Sequence, residues 1–289
     1  METVFMSGRR EYRKRQWKRR QSEKLTMLLK GTIVVAVVLV LILTGVKIVS
    51  TVQNHKQQKQ EETLLQKQNA VVESPVVEEP TPEPTPAPKE KAVALTFDDG
   101  PSRDNDGTIL ETLQANGAHA TFFVLGNRAR VDGDIMQMIL DAGCEIASHS
   151  WDHPQLSKIK WKKAKSQIDR TDRIVSKLLN GYQISLLRPP YGSISKTMRK
   201  KVKKPMILWS LDTEDWKSRN AKKIFNRVKK EVKDGDIILM HDIHPETAEA
   251  VKKIVPWLSE QGYDMLTVTE LMARKGKTME GGKAYLDAN

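Results

Sequence analysis

Ala92-Val93-Ala94-Leu95-Thr96-Phe97-Asp98-Asp99-Gly100-Pro101 is the stretch on which the reading of this chain turns. An almost wholly apolar run meets two adjacent carboxylates, and Gly-Pro then stops the extended chain, which predicts a buried strand ending in a polar turn. Apolar runs without polar alternation suit a parallel sheet covered on both faces, and such sheets bind ligands beyond the carboxyl ends of their strands. Asp98 and Asp99 stand at such an end. Neighbours on an extended chain point to opposite sides, so one is free to hold a metal while the other takes a proton. A plain Asp-Asp-Gly turn that merely ends a strand is the competing account.

From this strand onward, apolar runs alternate with helical periodicity. The strands expected are Val93 to Phe97, Ala120 to Leu125, Glu145 to Ser148, Ile184 to Leu187, Met206 to Ser210, Ile237 to Met240 and Met265 to Val268. Helices are expected roughly over Thr108 to Asn116, Asp134 to Ala142, Trp161 to Leu179, Ser195 to Val202, Ala221 to Val232 and Glu246 to Glu260. Seven strands alternating with helices predict an α/β fold, a distorted, incomplete (β/α)7 barrel over residues 91–274, with a polar C-terminal tail at 275–289.

Upstream the composition changes. The 289-residue chain has a net charge of +12, and residues 1–30 concentrate ten Lys or Arg against three Glu. Gly31 to Val46 carries no charge, and Lys30 and Lys47 bracket it. With its aliphatic flanks it reaches the roughly 20 residues that span a bilayer, and the basic residues before it place the N-terminus in the cytoplasm. The expected layout is a basic cytoplasmic tail over 1–30, a transmembrane signal anchor over 31–49, and an extracytoplasmic stalk and linker over 50–90. Pro80, Pro82, Pro84, Pro86 and Pro88 make that linker an extended spacer. A basic tail directly before an apolar run needs no nucleic acid to explain it. The single cysteine, Cys144, excludes an intramolecular disulfide and is expected as a small buried hydrophobe.

Five of the seven strands end in ionisable or aromatic groups: Asp98-Asp99, Ser148 to Pro154, Arg188 to Gly192, Asp212 to Trp216, and His241-Asp242. In a barrel these ends converge on one face. His149 and His153, four apart, together with one carboxylate make a three-ligand site that leaves positions open for water. His55, His119 and His244 are expected in solvent, in packing and in a loop contact. Trp151 is expected either to stack on a sugar ring or to sit as a rim aromatic, and Asp212 is expected to be structural.

Thr-Phe-Asp-Asp-Gly at 96–100, His-Ser-Trp-Asp-His-Pro at 149–154, Arg-Pro-Pro-Tyr-Gly at 188–192, Asp-Thr-Glu-Asp-Trp at 212–216 and Leu-Met-His at 239–241 resemble the five ordered motifs of the polysaccharide deacetylases, carbohydrate esterase family 4. The resemblance implies that Asp99, His149 and His153 bind a divalent metal, zinc first and cobalt second. It implies that Asp98 is the general base, that His241 protonates the leaving amine, that Asp215 orients His241, and that Arg188 braces Asp98. The backbone N–H of Tyr191 would help hold the oxyanion, and Trp216 and Leu239 would wall the acetyl pocket.

The function expected is removal of acetyl groups from N-acetylglucosamine in a cell-surface polysaccharide, with peptidoglycan glycan strands as substrate. The enzyme would be held on a Gram-positive cell membrane by one helix, its catalytic domain outside and monomeric. The alternatives are an O-acetyl esterase on xylan-type polymers, a chitin-oligomer deacetylase, and a non-catalytic wall-binding protein.

Overall fold

A computed structural model describes residues 89–289. The expected transmembrane span and stalk lie outside these residues. Among the described residues no helix is long and apolar enough to cross a membrane.

In chain order the elements are β1 (Lys91–Asp98), α1 (Asp106–Gln114), β2 (Thr121–Val124), α2 (Gly126–Ala129), α3 (Gly133–Asp141), β3 (Glu145–Ser148), α4 (Trp161–Leu178), α5 (Lys196–Lys201), β4 (Met206–Ile207), β5 (Leu211–Asp212), α6 (Asp215–Ser218), α7 (Ala221–Glu231), β6 (Ile237–His241), α8 (Pro245–Glu260), β7 (Tyr263–Leu266), α9 (Val268–Arg274) and β8 (Ala284–Tyr285). The order along the main sheet is β3-β2-β1-β6-β5, with β7 also paired to β1, and every pairing between named strands is parallel.

β1 lies at the centre of this sheet, which is why its side chains from Ala92 to Asp98 are all buried. Alternation divides them. Val93, Leu95 and Phe97 pack with Ile109 and Leu113 of α1 and with Val251, Ile254 and Val255 of α8. Ala92 and Ala94 pack on the other side with Phe123, Ala147, Ile207, Ile237 and Leu271. The helices answer with one apolar stripe each. α4 buries Ala164, Ile168, Thr171 and Val175, and α7 buries Ile224 and Val228, all at spacings of three or four. Cys144 is buried, and burial pushes its thiol up to about 11, which suits the hydrophobic role expected of it.

Several boundaries differ from expectation. Ile184 to Leu187 is not a continuous strand. Leu187 alone makes parallel bridges, to Ser148 on one side and Met206 on the other, and so links β3 to β4. The expected strand Met206 to Ser210 shortens to β4, Met206–Ile207, and β5 begins just beyond it at Leu211. The last strand ends at Leu266, and Val268 opens α9, because Thr267 and Glu270 form a capping box in which each side chain receives the other's backbone N–H. Part of the segment expected as a polar tail is built into the domain: β8 pairs with β4, and Ala288 is buried.

Candidate active site

Asp98 ends β1 beside His241, its partner at the end of β6. The pocket above these strand ends has a volume of about 410 Å³ and is lined by Asp98, Asp99, His149, His153, Tyr191, Trp209, Asp212, Trp216, Leu239 and His241. Every residue expected to bind metal or wall the acetyl group therefore faces one cavity. Asp215 and Arg188 stand behind it.

The two carboxylates do not diverge as an extended chain would have them. Asp99 has φ 75°, a left-handed turn conformation that needs a reason in a non-glycine residue. That turn brings the two acids to the same imidazole. His149 Nε2 is 3.6 Å from Asp98 Oδ2 and 3.6 Å from Asp99 Oδ1, and His153 Nε2 is also 3.6 Å from Asp99 Oδ1.

These donors fit a cation. Asp99 Oδ1 is buried and has no hydrogen-bond partner, an arrangement that costs free energy unless something charged is meant to meet it. One donor atom from each of Asp99, His149 and His153 lies within 4.8 Å of the others. His149 is buried, and its Nδ1 lies 2.8 Å from the carbonyl of Arg188. A carbonyl only accepts, so Nδ1 carries the proton and the Nε2 lone pair faces the site. Burial, with His149 beside it, holds the His153 imidazole below its ordinary value, which favours the neutral, ligating form.

Arg188 is fully buried. Its Nη1 donates to Asp98 Oδ1 at 2.7 Å and to Thr96 Oγ1 at 2.8 Å; Nη2 donates to the Leu208 carbonyl and Nε to that of Ile207. One carboxylate oxygen of Asp98 is thus fixed by a guanidinium, and the other is left to the pocket.

Asp215 receives four hydrogen bonds, from His241 Nδ1 (2.9 Å), the His241 backbone N–H (2.6 Å), Thr247 Oγ1 (2.7 Å) and the Trp216 backbone N–H (2.8 Å). Burial disfavours charge on both partners. The bond to Asp215 and its charge, joined by Asp98 and Asp99, outweigh that and push the His241 imidazole up to about 9. His241 is therefore protonated at neutral pH, with Nε2–H available to the cavity.

The polysaccharide deacetylase profile matches residues 85–206. Peptidoglycan-N-acetylmuramic acid deacetylase PdaC of Bacillus subtilis (strain 168) is 43% identical over 189 residues, covering 65% of this chain and 40% of that protein. The solved structure of B. subtilis PdaC aligns with a TM-score of 0.63 at 42% identity, over 64% of this chain and 92% of the solved one. This chain belongs to the polysaccharide deacetylase family. Peptidoglycan-N-acetylglucosamine deacetylase PgdA of Listeria monocytogenes serotype 1/2a (strain 10403S) is 41% identical over 206 residues, 71% of this chain and 43% of that protein. A family 4 acetyl xylan esterase from Clostridium thermocellum, solved in complex with a cobalt ion, aligns with a TM-score of 0.64 at 32% identity, over 68% of this chain and 98% of that one. The chain thus spans less than half the length of PdaC and PgdA.

In this deacetylase-family site one pocket residue, Trp209, lies outside every motif, and a second, Asp212, lies within one but takes a part not expected of it. Trp209 lies between β4 and β5, its ring edge against Gly192 where a Cβ would stand 3.0 Å away. Asp212, expected as structural, both accepts the Glu214 backbone N–H and lines the cavity. Trp151 is not among the lining residues. It lies under the Arg170 guanidinium, 4.0 Å from the ring centroid, with Arg130 at 5.9 Å. His119 pairs with Glu270 at 3.0 Å, and His244 sits at the N-terminus of α8 with its ring 6.0 Å from that of His241.

Directly behind the site is a second acid pair. Asp242 is fully buried and packs on Gly100, with its carboxyl within hydrogen-bonding reach of that of Asp106. Burial, reinforced by Asp106, raises Asp242 well above the usual carboxylate range, and burial raises Asp106 to about 7. The folded chain then holds protons that the unfolded chain releases above about pH 4, so stability falls as pH rises from there through 7. Asp242→Asn stays neutral and supplies an amide donor. It is expected to stabilise the protein at pH 8 by on the order of 1 kcal/mol and by less at pH 5, read as Tm in thermal melts at the two pH values.

Proposed function

We propose that this chain is a metal-dependent hydrolase that removes acetyl groups from N-acetylglucosamine residues of peptidoglycan. The observation that carries the reading is the joint placement of Asp98, Asp99, His149, His153 and His241 on one cavity. A binding module needs no buried base beside a cation site and a protonated imidazole. The peptidoglycan substrate is supported by what PdaC and PgdA are named for.

Asp99, His149 and His153 would hold the metal, zinc in the first instance and cobalt in the second, on a distorted, incomplete barrel. When bound, that ion supplies Lewis-acid polarisation of the acetamide carbonyl and acidifies a water. Asp98, fixed at Oδ1 by Arg188, takes a proton from the attacking water at Oδ2. As the C–O bond forms, the Tyr191 backbone N–H donates to the developing oxyanion. The His241 imidazolium, oriented by Asp215, gives its proton to the nitrogen as the C–N bond breaks, leaving acetate and a free amine. Leu239 and Trp216 enclose the methyl group.

The pH dependence follows from His241. Its proton is needed for C–N cleavage, so kcat/KM is expected to hold through neutrality and fall on the alkaline side. That limb lies above histidine's ordinary 6.5 and no higher than about 9, because a bound cation offsets the part due to Asp98 and Asp99. Asp215→Asn removes the largest favourable contribution, so the limb should move to lower pH by one unit or more while kcat/KM drops roughly 10²-fold. An unmoved limb would detach Asp215 from the proton donor.

The acetyl xylan esterase among the solved relatives favours a second reading, hydrolysis of O-acetyl esters by the same groups. Acetate release from peptidoglycan strands, chitin oligomers and O-acetylated xylan in parallel separates the readings, and mass spectrometry of the peptidoglycan fragments tells glucosamine from muramic acid products. The layout upstream, with a cytoplasmic basic tail, a signal anchor over 31–49 and a proline-rich stalk, would hold a monomeric catalytic domain outside a Gram-positive membrane. Its support is charge and hydropathy in the sequence.

A further inference from the structure

We propose that Gln167, on α4 and outside the cavity, is a positioning residue that sets the His149 to His153 loop for metal binding. The proposal rests on the assignment of His149 and His153 as metal ligands. Two residues of that loop, Ser150 (φ 80°) and His153 (φ 62°), are non-glycine residues in the left-handed region. Such residues persist only where the surroundings over-determine them.

The surroundings here are few and specific. The loop carbonyls of Ser150 and Trp151 accept from the backbone N–H groups of Gly126 and Asn127, both at 3.0 Å. On the opposite side Gln167 Oε1 accepts from two successive backbone N–H groups, those of Trp151 at 2.9 Å and Asp152 at 3.1 Å. These lie midway between the two histidines. A third contact, His153 N–H to Ser150 Oγ at 3.1 Å, closes the turn within the loop.

The face of α4 that presents Gln167 is devoted to this loop. Positions i+3 and i+4 from it are Arg170, whose guanidinium covers the Trp151 ring, and Thr171, whose Oγ1 donates to the Gln167 carbonyl and whose atoms crowd Gly126. A Cβ at Gly126 would stand 2.5 Å from the Trp151 ring, so loop, helix start and α4 meet with no slack. Trp151 thereby packs between Arg170 and Gly126 on this side.

Gln167 supplies only an acceptor here, and that makes its role separable from bulk. Glutamate keeps the acceptor, whereas leucine and methionine keep the volume and remove it. Asp152 is exposed, so at least its freed N–H can turn to water, and the loop is expected to relax without unfolding the domain. Relaxation moves His149 and His153 apart. Loss of a group that orients metal ligands typically costs roughly 10–100-fold in metal affinity.

The test is a Co2+ titration of the whole chain, followed by visible absorption and by competition with a chelator, on wild type, Gln167→Leu, Gln167→Glu and His149→Ala. Gln167→Leu is expected to bind Co2+ about 10–100-fold more weakly with an altered ligand-field spectrum. Gln167→Glu should stay close to wild type, and His149→Ala should lose the site. Gln167→Met carries the same test if the leucine variant folds poorly. Wild-type affinity and spectrum in the leucine or methionine variant would overturn the proposal, as would equal weakening by leucine and glutamate. A wild type that binds Co2+ no better than His149→Ala would remove the ligand assignment itself.

Discussion

Asp98→Asn is expected to lower kcat/KM for acetate release about 10³-fold, chiefly through kcat, because the change removes a buried carboxylate that reaches both Arg188 and the cavity. The amide matches the carboxylate in shape, and its Oδ1 still accepts from Arg188 Nη1, so polymer binding should survive. Stability should not survive intact. Arg188 is fully buried, and beyond Asp98 its partners are neutral oxygens of Thr96, Ile207 and Leu208. Leaving a buried guanidinium without its counter-charge typically costs roughly 3–5 kcal/mol, a figure the retained hydrogen bond reduces. Acetate assays and thermal melts on the same preparation check both halves. Wild-type turnover in this variant would move the base elsewhere.

His149→Ala is expected to abolish both tight metal binding and acetate release. His149 is the most enclosed of the three donors, with its proton fixed on Nδ1 by the Arg188 carbonyl. Without it two donors remain, Asp99 and His153, fewer than the three protein ligands usual for catalytic zinc. The loss of affinity should exceed the roughly 10–100-fold typical of an outer-shell partner. Metal content after dialysis and acetate release read the effect independently. Metal retained at wild-type stoichiometry would mean that the cation sits on other residues.

What the sequence made legible follows from where chemistry is concentrated in it. Ala92 to Pro101 reads correctly as a buried strand with acids at its end because burial on both faces leaves no polar alternation to misread. The five strand ends point to one cavity because parallel strands with helical returns have their carboxyl ends on the same side. The failures are three-dimensional. The divergence expected of Asp98 and Asp99 holds for an extended backbone, and a single left-handed residue at Asp99 cancels it.

Trp209 and Gln167 stand apart from any motif. The first enters the pocket where β4 and β5 break, and the second acts on a loop about fifteen residues upstream through an amide oxygen. Nothing in local periodicity marks either. α9 was within reach, since Thr267 and Glu270 stand at capping-box spacing, but the apolar Met265 to Val268 run suggests continued strand. β8 is two residues long and gains its place from tertiary contacts, its pairing with β4 and the packing of Tyr285 on the core.

The most direct measurement of the central claim is acetate released from peptidoglycan glycan strands by the whole chain, before EDTA treatment, after it, and after zinc is restored. Release that stops with EDTA and returns with zinc, giving free amines on the glycan in equal number to acetate, is the result predicted. Release indifferent to EDTA, or no release from N-acetylated strands with zinc present, would contradict it.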